Sequence, residues 1–205
     1  MKTTETYKTI KTGLFQNETL FLYTYIAHNG LKFETTGETL DICKKSRDRW
    51  LSHLSTSFTG HRQVIDYKQT SERVMDAIRY CYDNGARFFY AGGAVGFDTI
   101  AAEAVLRLKA EHTDIVLIIV VPFPEQDKYF NAENRSRYLN ILKHADEVVT
   151  ISNSFSNSAY LKRNDYMISH SCQLIAYWDE KSLGGTSYTV RKAHKKKLTI
   201  YNLFK

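Results

Sequence analysis

Residues 87–111 read RFFYAGGAVGFDTIAAEAVLRLKAE, and the whole fold can be worked outward from this stretch. Arg87 to Ala91 is a short apolar run with the length and aromatic content of a buried strand. Gly92-Gly93-Ala94-Val95-Gly96 then breaks the chain direction. From Asp98 to Glu111 the period changes to that of a helix, with Ala101, Ala104, Val105 and Leu108 on its inner face. A strand followed by a glycine turn and then a helix is one half of a parallel crossover unit.

The same alternation continues on both sides. Thr56–Thr59 and Arg87–Ala91 read as strands, joined by an amphipathic helix over Gln69–Asn84 that stops at Gly85. Ile115–Val121 is a continuous apolar strand, as expected when both faces are covered. A helix over Glu133–His144, a strand over Glu147–Ile151, a helix over Ala159–His170 and a strand over Cys172–Trp178 come next. A helix over Thr186–Lys196 and a strand over Leu198–Asn202 close the pattern. The expected fold is therefore α/β and Rossmann-like, with a mainly parallel sheet and helices on both faces.

Residues 1–54 do not share this pattern and read as a separate small unit. Thr19–His28 and Leu31–Thr35 form a hairpin about Asn29-Gly30, and a helix over Leu40–Leu54 completes a ββα arrangement. The larger domain then spans 55–205.

Composition narrows the function classes. Hydrophobic residues make up 43% of 205, enough for a real core. Cys43, Cys81 and Cys172 are odd in number and far apart, so neither a disulfide framework nor a zinc knuckle is indicated. The seven histidines form no helical i, i+4 pair, and no metal site is expected. Met1–Ile10 is polar, and the longest apolar run is one strand long, so a cytoplasmic protein with no membrane partner is expected. Net charge is +6, but Lys181–Lys205 holds seven basic and no acidic residues; the other residues carry 21 basic and 22 acidic, a net of −1. The basic balance is thus a local property, and nucleic acid is not the favoured partner.

The chemistry lies in the loops after the strands, where open α/β sheets bind ligands. Gly60-His61-Arg62 follows the first strand, Gly92-Gly93 and Gly96 with Asp98 the second, and Gly184-Gly185-Thr186 the fifth, while Arg163-Asn164 lies beyond the fourth. Glycines let backbone amides approach an anion, and a helix start adds its partial positive charge. Arg62 and Arg163 either grip phosphate or form ion pairs. His61 either contacts a base or steadies its turn. Asp98 either holds a ribose hydroxyl or caps its helix. No cofactor and no catalytic residue is assigned.

These residues also carry a resemblance. Thr59–Arg62, Gly92–Glu103, Pro122–Gln126, Ala145–Val149, Arg163–Met167 and Gly184–Val190 are similar to the motifs of the YpsA-like branch of the SLOG superfamily. That superfamily also includes the DNA-processing protein DprA (Smf) and the Lonely Guy phosphoribohydrolases. The resemblance implies a Rossmann-like domain that binds a phosphorylated nucleotide-derived small molecule, with a homodimer as its expected assembly. Sensing or sequestering of that molecule is the leading expectation. Hydrolysis of an N-glycosidic or phosphoester bond, and DprA-like single-stranded DNA binding, are the alternatives. The Lonely Guy motif Pro-Gly-Gly-x-Gly-Thr-x-x-Glu is matched here only in part by Leu183-Gly184-Gly185-Thr186-Ser187-Tyr188-Thr189-Val190; its proline, later glycine and glutamate are missing. Without that carboxylate, hydrolysis by the same route has no obvious agent.

Overall fold

The computed structural model describes residues 3–13 and 18–204; Lys205 of the basic C-terminal stretch lies outside them. The chain divides into two compact units, Met1–His53 and Leu54–Lys205.

The first unit has three strands, β1 (Thr4–Thr12), β2 (Glu18–Ile26) and β3 (Lys32–Gly37), and one helix, α1 (Leu40–His53). The expected hairpin is present as β2 and β3, paired antiparallel with Ile26 opposite Lys32. Its loop is wider than a two-residue turn. Ala27 N–H donates to Leu31 O, Gly30 N–H donates to Ala27 O, and Gly30 takes φ 83°. The unit has one strand more than the ββα reading. β1 adds antiparallel to β2, yet every residue from Thr4 to Lys11 is exposed. A strand with no buried face has no apolar alternation, so periodicity gave no sign of it. Inside the unit, Tyr23 and Cys43 are fully buried, Arg47 donates to Tyr23 Oη at 3.0 Å, and Phe33 stacks on Trp50 at 5.3 Å.

The second unit contains β4 (Ser55–Gly60), α2 (Tyr67–Asp83), β5 (Phe88–Ala91), α3 (Phe97–Glu111), β6 (Val116–Val121) and α4 (Ala132–His144). It continues through β7 (Glu147–Thr150), α5 (Ala159–Ser169), β8 (Gln173–Tyr177), α6 (Gly185–Lys195) and β9 (Thr199–Asn202). The six strands form one parallel sheet in the order β7-β6-β5-β4-β8-β9. The chain moves outward from β4 through β7 and then returns to the other side of β4. With right-handed crossovers, α3 packs between α2 and α4, and α5 packs with α6. The order reverses between β4 and β8, so the connections leaving their carboxyl ends run to opposite sides and leave a crevice.

β4 lies at the centre although its sequence is Ser-Thr-Ser-Phe-Thr-Gly. Two of its buried hydroxyls are satisfied across the sheet: Thr56 Oγ1 donates to Gln173 Oε1 at 2.8 Å and Ser57 Oγ to Gln173 O at 3.4 Å. Phe58, Phe89, Leu117, Ile119 and Ile175 supply the apolar layer on which the helices pack. Asp66 caps α2 by accepting from Gln69 N–H at 2.9 Å, and Gly85 at φ 98° ends the connection after it. No helix among the described residues is long and apolar enough to cross a membrane.

Candidate functional site

A cavity of about 450 Å³ opens at the crevice. Nine of the residues expected to bind ligand line it: Gly60, His61, Arg62, Asp98, Arg163, Asn164, Gly184, Gly185 and Thr186. They come from the end of β4, the first turn of α3, the second turn of α5 and the start of α6. Gly92, Gly93 and Gly96 do not line it.

Those three glycines are required by the protein itself. A Cβ on Gly92 would overlap the Arg163 guanidinium. Gly93 has φ 64°, and a Cβ there would lie 2.9 Å from both Gln126 Nε2 and a ring carbon of Tyr138. Gly96 has φ 85° and sits against the carbonyl of Arg62, while Phe97 N–H donates to His61 O at 3.1 Å. Gly60 completes the contact, since a Cβ on it would fall 2.5 Å from Phe97. The loops after β4 and β5 therefore dock backbone to backbone, which only residues without a side chain permit. Gln126, beyond β6, turns inward and donates to the carbonyls of Gly92 and Gly93 at 3.4 and 3.3 Å.

At the base of the cavity Arg163 and Asp98 form a buried pair. Arg163 Nη1 lies 3.8 Å from Asp98 Oδ2, with side chains 7% and 8% exposed. Arg163 also donates to Gly92 O and, from Nε, to Asn164 Oδ1 at 2.7 Å. Asn164 Nδ2 in turn donates to Thr189 Oγ1 at 2.9 Å, which fixes the amide between α5 and α6. Burial pushes the Asp98 carboxyl above its usual range, against the pull of Arg163 and the amides of Ala94 and Gly92. Burial likewise lowers Arg163, opposed by Asp98. Asp98 lines the cavity and is the counter-charge of Arg163; the N-cap of α3 is Gly96, with no side-chain cap bond.

The rim is more open. His61 Nε2 accepts from Asp179 N–H at 3.1 Å, so His61 steadies the turn after β8 while facing the cavity. Asp179 organises that turn: it accepts from Ser182 Oγ at 2.5 Å, Ser182 N–H at 2.8 Å and Lys181 N–H at 3.1 Å. The Ser182 hydroxyl and amide hold its carboxyl well below the usual range. The turn delivers Gly184 to the N-cap of α6, where no side chain caps the helix. Ser187 Oγ instead bonds the amide and carbonyl of Gly184, both at 3.0 Å. Arg62 is exposed and makes no ion pair among the described residues.

Asn157, Tyr160, Leu161, Ser182 and Leu183 also line the cavity and were not singled out from sequence. For Asn157, Tyr160 and Leu161 the one signal was the polar stretch between β7 and Arg163, and for Ser182 and Leu183 it was their place just before the Gly184-Gly185 pair. Glu103, on α3, pairs with Arg137 through two bonds of 2.7 Å and accepts from Tyr67 Oη. Among the described residues no group of three or more His, Cys, Asp or Glu is placed to hold a metal ion.

Comparison with known proteins fits this geometry. The model of the YspA SLOG family matches residues 58–204. A UPF0398 protein of Halalkalibacterium halodurans is 31% identical over 139 residues, covering 67% of this chain and 72% of the relative. The SPbeta prophage-derived protein YoqJ of Bacillus subtilis is 36% identical over 108 residues, covering 47% of this chain and 63% of the relative. Among solved structures, DNA processing protein A from Helicobacter pylori, described for its single-stranded DNA binding mode, superposes with a TM-score of 0.53 at 19% identity. That match covers 95% of this chain and 79% of the other.

Proposed function

The chain belongs to the YspA SLOG family, and on that footing we propose that it binds a phosphorylated, nucleotide-derived ligand as a sensor or sequestering module. A nucleoside phosphate or an NAD-derived signal fits the description. One observation carries the reading: the start of α6 at Gly184-Gly185-Thr186, whose N-cap glycine has no side chain to cover the helix amides that follow it, and the exposed cation of Arg62 line the same cavity at the point where the sheet order reverses. Free amides at a helix start and an arginine fork both favour phosphate oxygens. Asp98 and Arg163 neutralise each other beneath, so the charge of Arg62 is not cancelled from below.

Hydrolysis is less well supported. The acidic side chain that lines the cavity, Asp98, is buried and committed to Arg163, so no carboxylate among the described lining residues stands ready to activate water. Single-stranded DNA is the second reading, suggested by the binding described for DNA processing protein A and by the basic residues around α6.

Calorimetric titration of the full chain with ribose 5-phosphate, adenosine 5′-monophosphate and NAD tests the proposal. Binding that weakens about tenfold in Arg62→Ala, with an unchanged melting temperature, supports it. Absence of binding by all three probes refutes it. Light scattering on the same preparation tests the expected homodimer.

A further inference from the structure

A second depression, of about 560 Å³, lies on the same carboxyl rim between the loop after β6 and the segment leading into α5. Four aromatic side chains line it: Phe123, Tyr129, Phe155 and Tyr160. Tyr160 also lines the cavity described above, so the two hollows share a wall.

The rings are arranged rather than scattered. Phe123 is 8% exposed and meets Phe155 and Tyr160 edge-on, at 5.3 and 5.5 Å with interplanar angles of 90° and 82°. An anchored ring that touches two others by its edge fixes how they stand. Phe155 and Tyr129 are nevertheless 63% and 89% exposed. Neither completes the core, and together they form an aromatic patch beside a polar pocket, which marks a binding surface more than a packing one. Gln126, Asn153 and Ser154 add amide and hydroxyl groups to the lining, and Lys128 Nζ lies 5.8 Å from the Tyr129 ring centroid at its lip. Glu125, at φ 63°, turns the chain between Phe123 and Gln126.

Aromatic faces with polar groups at their edge match a flat heteroaromatic ring that has a π face and a hydrogen-bonding edge. We infer that this groove is a nucleobase subsite, holding a base whose sugar phosphate occupies the neighbouring cavity. The inference rests on the phosphate reading above and specifies what the phosphate is attached to. A base can belong to a free mononucleotide or to a strand, and the shared wall at Tyr160 suits either.

The test uses the full chain with Phe155→Ala and Tyr129→Ala, both exposed positions, each checked by its melting temperature. The probes are ribose 5-phosphate, adenosine 5′-monophosphate and a 5′-phosphorylated oligothymidylate of about ten nucleotides. The expected result is that a base-bearing probe binds the parent protein more tightly than ribose 5-phosphate. Each variant then weakens the base-bearing probe by about tenfold, in line with the loss of one base–aromatic stack, and leaves ribose 5-phosphate unchanged. An effect on the monophosphate identifies a mononucleotide, and an effect on the oligothymidylate alone identifies a strand. Ribose 5-phosphate binding as tightly as both others, or equal losses for all probes, overturns the subsite and leaves the phosphate reading standing. If no probe binds, both fall together.

Discussion

Replacing Arg163 with alanine should destabilise the larger unit, and the size and pH dependence of the loss follow from what the guanidinium touches. It donates to two acceptors, Gly92 O and Asn164 Oδ1, and pairs with the Asp98 carboxylate at 3.8 Å. Gly92 O keeps a second donor in Gln126, whereas Asn164 Oδ1 loses its donor and only Nδ2 stays bonded, to Thr189; both are neutral groups. Asp98 is different. Its side chain is 8% exposed, and burial already raises it with the arginine in place. Removing one partner of such a pair typically costs about 3–5 kcal/mol. For a domain of this size each kcal/mol lowers the melting temperature by roughly 2–4 °C, so a fall of about 6–20 °C is expected at pH 8. The sign of the pH effect is fixed by Asp98. Without Arg163 its folded pKa rises further above the unfolded value, so the folded variant binds a proton that the unfolded chain does not. Stability is then lost as pH rises through the folded pKa and regained as pH falls toward the unfolded one. The difference between variant and parent should therefore narrow from pH 8 to pH 5 in thermal scans. Asp98→Asn combined with Arg163→Met should recover most of the loss, because the whole pair is removed. A fall within about 1 °C, or a deficit independent of pH, would refute the argument.

Gly93→Val should lower the melting temperature rather than act on ligand binding alone, because its side chain would meet Tyr138 and Gln126 at a left-handed φ of 64°; circular dichroism during heating reads this directly. Arg62→Ala should leave the melting temperature unchanged and weaken ribose 5-phosphate about tenfold, the loss of one charge-assisted contact, as measured by calorimetry. Asp179→Ala should loosen the turn before α6, since three donors lose their acceptor, and amide exchange at Ser182 and Gly184 should quicken. Incubation with nucleoside 5′-monophosphates should release no free base on chromatography, since Asp98, the carboxylate in the cavity lining, is committed to Arg163.

The larger fold was legible because its strands and helices differ in period and because glycines mark the turns between them. Ile115–Val121 and the helix after Gly96 could hardly be read otherwise. The exposed strand β1 was not legible, because burial is what writes alternation into a sequence. At the site, residue types at strand ends picked out nine residues that line one cavity but did not show the contacts of each. Gly92, Gly93 and Gly96 have the composition of an anion-binding loop, yet their neighbours are Arg163, Tyr138 and the Arg62 backbone. Likewise, an arginine near a helix start reads the same whether it faces solvent or a buried Asp98. Sequence shows that a small residue or a cation is wanted; which atom occupies the space beside it is a three-dimensional fact. Tyr160, on α5, and Ser182, in the turn before α6, were missed for the same reason: neither residue type at its position signals that it faces the cavity.

The docking of the Gly60–Arg62 turn onto Gly96–Phe97 means that part of the rim is assembled during folding, not during capture. The conformational entropy of ordering these two turns is lost once, when the chain folds, and is not charged again to each binding event. A guest should then be received by a frame that scarcely moves, with a small heat-capacity change for its size and an association rate governed by encounter and orientation. Its thermal stabilisation of the domain should follow occupancy through the ratio of free concentration to Kd, with no added contribution from turns becoming ordered.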